Sequence, residues 1–152
     1  YNYFKSKEEV IEALAEDSIL RFKPILKRVG AEASSFEEYL RGAFRAYFRF
    51  IAKENQPLIE SGGAHALMAS VRIDTPEIKA VADEIRADVE RVVNEENGRR
   101  IDTGYLTAAA IGIAREMGDA MLLRRPVDPD ATAEFAAALV LRGVGGLPPE
   151  PC

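Results

Sequence analysis

The 152-residue sequence is 47% hydrophobic and carries a formal charge of -5 with a pI near 5.1. That is enough chain and apolar content for one domain with one core, and too acidic a balance for a nucleic-acid-binding face spread over the body. One cysteine, Cys152, permits neither an internal disulfide nor a cysteine metal cluster, and no run approaches the ~20 apolar residues of a membrane span, so the expectation is a soluble, cytoplasmic protein.

Ser6 with Glu9 forms a capping box, which predicts a helix starting there. Val10, Ile11, Leu14, Ile19, Phe22, Ile25, Leu26 and Val29 then recur at helical steps up to Gly30, expected as the stop. Pro24 removes an amide and crowds the carbonyl of Leu20, so a bend is expected near positions 21 to 23. It is either a harmless kink or a means of passing motion along the helix.

Ser34 and Ser35 with Glu37 and Glu38 offer a second capping box in either of two registers and open a helix to about Glu54. Arg41, Arg45 and Arg49 fall at four-residue steps as a solvated face, with Glu37 placed to pair with Arg41. Six of the twelve aromatics lie between positions 36 and 50, either as ordinary core or as the wall of an apolar pocket.

Asn55-Gln56-Pro57 breaks that helix and starts a short one over 58–61, ended by Gly62-Gly63. The stretch after it has weak periodicity and holds His65, the single histidine. Asp74-Thr75-Pro76 starts a one-sided amphipathic helix, with Ile78, Val81, Ala82, Ile85, Val89, Val92 and Val93 as its stripe and Gly98 as its stop.

The last two helices, expected over 103–124 and from Asp128-Pro129 to about Arg142, are apolar over more than half their circumference. Each therefore needs cover on more than one side, and Gly112, Ala114, Gly118 and Ala136 to Ala138 allow close approach of another helix. The tail beyond residue 147 is Pro-rich and flexible by composition. With no strand alternation, repeat or heptad run, the fold class is all-α, about six helices.

The opening residues, YNYFKSKEEV, carry a resemblance. This stretch is similar to the segment that closes the DNA-binding domain of TetR/AcrR-family transcriptional regulators, where the recognition helix turns into a long connecting helix. The resemblance implies that residues 1–5 end a DNA-binding domain lying mostly before Tyr1, that 6–147 form an effector-binding and dimerisation domain, and that 148–152 are tail. It further implies that Tyr1, Tyr3 and Lys7 touch DNA phosphates, while the last two helices of each chain pack as a symmetric homodimer. Within those helices the dimer residues are expected to be Ile111, Ala114, Gly118, Leu122, Phe135, Ala137, Ala138 and Leu141. A small hydrophobic effector is expected among Phe44, Tyr47, Phe48, Ile51, Ile85, Val89, Met117 and Met121, with Tyr47 and His65 as hydrogen-bonding handles.

No catalytic constellation, metal-ligand spacing or phosphate-binding loop is visible, so neither enzymatic activity nor a cofactor is expected. The expected function is a ligand-responsive repressor. The alternative is an all-helical enzyme or an interaction module without a DNA role.

Overall fold

The computed structural model describes residues 7–60, 76–97 and 101–146, which form six helices: α1 (Lys7–Glu32), α2 (Phe36–Glu54), α3 (Gln56–Glu60), α4 (Pro76–Asn97), α5 (Thr103–Leu123) and α6 (Pro129–Val144). The fold of the described residues is all-α. The expected Ser6 cap, Gly62-Gly63 stop, Asp74-Thr75 cap, Gly98 stop and tail lie outside the described residues.

Each start that can be described is chemically specified. At α2 the cap takes the Ser35 register: its Oγ accepts from the Glu38 amide at 3.0 Å, while the Glu38 carboxylate accepts from the Ser34 amide at 3.2 Å and from its hydroxyl at 3.0 Å. Asp102 caps α5 by accepting from the Tyr105 amide at 2.9 Å, and Asp128 caps α6 from the Ala131 amide at 3.0 Å, with Pro129 opening the first turn. Asn55 ends α2, and its side-chain amide donates back to the Ile51 carbonyl at 2.9 Å. The short helix begins at Gln56, two residues earlier than the sequence predicts, because Pro57 fits its first turn.

α2 is the axis of the fold. It touches each of the other five helices, and Tyr39, Phe44 and Phe48 stand on its buried side at 1%, 4% and 0% exposure. α1 and α4 cross on one flank, while α6 runs along the other and α5 closes the remaining gap. The arginine stripe of α2 is more than a solvated face. Arg49 forms a two-pronged pair with Asp130 of α6 at 2.7 and 2.9 Å, and Arg41 reaches Glu134 as well as Glu37. These pairs are largely exposed, so each fixes the registry of α6 on α2 more than it stabilises the fold.

Gly30 does not stop α1, which continues for two more residues. Its missing side chain lets α4 come close: a Cβ built on Gly30 stands 2.5 Å from the Asp88 carboxylate. The Gly30 carbonyl accepts from Arg91 of α4 at 2.9 Å. The glycine is thus spent on a helix crossing, and α1 passes unbroken through Pro24.

The core falls into two clusters. The larger joins α2, α4, α5 and α6 around Phe48, Val92, Val93 and Ala136, and the smaller joins α1 and α4 through Phe22, Leu26 and Val81. Ala43, Tyr47 and Ile85 pack against both.

Candidate ligand pocket

Between the two clusters lies an apolar cavity of about 200 Å³. Four helices wall it. α1 contributes Ile19, Phe22 and Leu26, its three- and four-residue stripe; α2 contributes Tyr39, Leu40, Ala43, Phe44 and Tyr47; α4 contributes Ile78, Val81, Ala82, Ile85 and Val89; α5 contributes Ala110, Ile111, Ala114 and Arg115. Ala43 of α2 and Ala110 and Ala114 of α5 are small lining residues that leave room larger side chains would fill.

Tyr47 is the hinge between cavity and core. Its ring meets Phe22 edge-on at 5.8 Å and Phe48 at 5.5 Å. Burial pushes its hydroxyl up to about 12, so it remains a neutral donor across the physiological range; Asp119 adds to the rise and Arg115 opposes it. Tyr39 lines the same cavity, and its hydroxyl has no hydrogen-bond partner among the described residues at 1% exposure. Burial pushes this group up as well, with Asp88 and Glu84 adding to the effect and Arg91 opposing it.

The expected ligand residues divide. Phe44, Tyr47, Ile85 and Val89 line the cavity. Phe48, Ile51 and Met121 are buried in the larger cluster, and Met117 packs half-buried against it. None of these four is in the cavity wall. His65 lies outside the described residues. Periodicity could not separate these two sets, because both lie on apolar faces and only the crossing of α1 decides which face meets the cavity. Ile19, Phe22 and Leu26 were legible as a helical stripe, whereas the entry of Arg115 into an apolar wall carries no sequence signal.

The expected dimer residues divide too. Ile111 and Ala114 line the cavity. Gly118 faces Ile51 and Tyr47 of α2 in the same chain. Leu122 and Ala137 are buried in the core at 4% and 1%, and Leu141 packs partly buried against it. Ala138 is half-buried and Phe135 is 66% exposed. α2 and the cavity therefore cover two faces of α5 that the sequence assigns to a second chain. What stays uncovered on these two helices is Tyr105 and Leu123 of α5 with Phe135 and Leu139 of α6. Of the expected DNA contacts, Tyr1 and Tyr3 lie outside the described residues, and Lys7 opens α1 with its side chain likewise outside them.

A second, open groove of about 400 Å³ runs where α1 crosses α4, bordered by Lys27, Glu84, Asp88 and Arg91. Among the described residues no three His, Cys, Asp or Glu side chains gather as a metal site, and no helix is long and apolar enough to cross a membrane. No family model, curated protein or solved structure matches the chain.

Proposed function

We propose that this chain is the effector-binding and dimerisation part of a ligand-responsive transcriptional regulator of the TetR/AcrR kind, a cytoplasmic homodimeric repressor. A small hydrophobic molecule entering the α1–α2–α4–α5 cavity weakens operator binding. The observation that carries this reading is the membership of α1 in the cavity wall. α1 continues directly from the segment that resembles a connecting helix, so whatever fills the cavity presses on the element leading to the DNA-binding side.

The mechanism is a population shift. A ligand that favours one packing of α1 against α4 by about 1–3 kcal/mol changes operator affinity by the same free energy, roughly 5- to 150-fold. Gly30 and Asp88 mark a close approach of the two helices, and Pro24 lies between that crossing and the N-terminal end of α1.

Thermal-shift screening of small hydrophobic compounds tests the reading. A true effector at about 100 times its Kd stabilises the chain by about 2.7 kcal/mol, on the order of 5–10 °C for a domain of this size. Tyr47→Ala, which opens the cavity wall, abolishes that gain. Absence of any stabilising compound for the wild type, or a gain untouched by the substitution, rules the cavity out as an effector site. In the intact protein, Lys7→Ala weakens binding equally on operator and random DNA and lowers the salt slope by about one.

A further inference from the structure

Arg115 is the one cation among the residues lining the cavity; the rest of the wall is apolar apart from Tyr39 and Tyr47. A guanidinium cannot shed its proton, so its charge must be met by an anion or by water. Among the described residues no carboxylate pairs with it. Asp119, one turn further along α5, is close enough for its charge to be felt, yet its Oδ1 is buried with no hydrogen-bond partner among the described residues, and Glu116 adds further negative charge nearby. Tyr47 stands at the same end of the cavity, within the field of both Arg115 and Asp119.

The opposite end is marked by Tyr39. Eight residues separate it from Tyr47 on α2, a rise of about 12 Å, with Ala43 and Phe44 between them. The two tyrosines thus stand about 12 Å apart along α2, with apolar lining residues between them. At about 200 Å³ it takes on the order of ten non-hydrogen atoms, given that a cavity of ~150 Å³ takes benzene.

We infer that the cavity selects an elongated lipophilic monocarboxylate, with its carboxylate at Arg115 and the Tyr47 hydroxyl and its apolar body along Ala43, Phe44 and Ile85. This rests on the cavity being the effector site. Arg115 supplies the charge and two N–H donors, Tyr47 donates a third hydrogen bond, and the apolar wall reduces the water that weakens such a pair. Asp119 opposes the anion, so the site is tuned to a weak acid of high local affinity only when the apolar body is also buried.

The test is calorimetry of the chain with octanoate and with octanamide, which share shape and differ in charge. Octanoate is expected to bind the wild type about tenfold or more tightly than octanamide, the worth of one charge-assisted hydrogen bond. Arg115→Gln removes that preference and leaves octanamide binding within about twofold of wild type, while Asp119→Asn raises it severalfold for octanoate alone. Tyr39→Phe, at the far end, leaves the preference unchanged. Equal binding of the two probes, or an equal loss of both in Arg115→Gln, overturns the carboxylate assignment while the cavity remains a ligand site. Failure of the wild type to bind either probe overturns both.

Discussion

Gly118 of α5 lies against Ile51 of α2: a Cβ built on the glycine stands 3.1 Å from the Ile51 Cδ1 and 3.6 Å from the Tyr47 ring. Two opposed consequences follow for substitution. Alanine gains about 1 kcal/mol of helix propensity over glycine, which offsets the small displacement of a flexible methyl. Gly118→Ala should therefore be close to neutral in denaturant titration. Gly118→Val adds branched bulk to a closed interface and should cost about 1–3 kcal/mol.

That same contact shows why the sequence was legible in part. All six helices and the apolar stripe of α4 could be placed from caps, prolines and three- to four-residue steps, since those signals are local. The destination of each apolar face is not local. Gly118, Leu122 and Ala137 are small or apolar residues on faces that must be covered, and nothing in their spacing distinguishes cover by α2 from cover by a second chain. Gly30 misleads for a related reason: a glycine late in a helical run fits a stop, whereas here it admits Asp88 of the crossing helix. Of the expected cavity residues, Phe44 and Tyr47 could be found because aromatic crowding on α2 was visible, and Ile85 and Val89 because they belong to the apolar stripe of α4. Arg115 could not, because a lone arginine on a small-residue helix is ordinarily solvated.

Tyr39→Phe should raise the stability of the ligand-free chain. The hydroxyl is buried without a partner among the described residues, and a buried polar group left unsatisfied costs about 1–3 kcal/mol. A gain of 1 kcal/mol corresponds to roughly 2–4 °C in a domain of this size, readable by circular dichroism. A loss of stability would mean that the hydroxyl already has a partner.

Asp119→Asn is predicted to stabilise at neutral pH and to alter the acid limb of the stability curve. Burial raises the Asp119 carboxyl above its ordinary 3.8, with Glu116 adding to the rise and Arg115 opposing it. The folded chain therefore holds the proton more tightly than the unfolded chain. Stability contributed by the protonated form is present below 3.8 and is lost as pH rises through the raised folded value. At pH 7 the ionised carboxylate is a net cost, which the amide removes. Melting curves of wild type and Asp119→Asn should differ most at pH 6–8 and converge toward pH 3. A separation that stays constant across this range would exclude titration of Asp119 as its origin.

The surface left uncovered by the fold gives the last prediction. Phe135 and Leu139 are one turn apart on α6 and are 66% and 53% exposed, and Leu123 on α5 is 64% exposed. Ala137, between the two on the same helix, is 1% exposed and turned inward toward the core. If the proposed homodimer packs α5 and α6 of each chain across a two-fold axis, its anchor is Phe135, not Ala137. A glutamate at each position then has a different effect. Phe135→Glu places charge on an exposed site, leaves the helical circular-dichroism signal of the monomer intact, and weakens self-association by about 2 kcal/mol, some 30-fold in Kd. Ala137→Glu drives a charged side chain into the packed contact between α6 and its neighbours, and should lower the melting temperature before any change in assembly can be read. Light scattering across a dilution series, run beside thermal melts, separates the two. A dimer of unchanged Kd in Phe135→Glu would move the interface away from this face of α6.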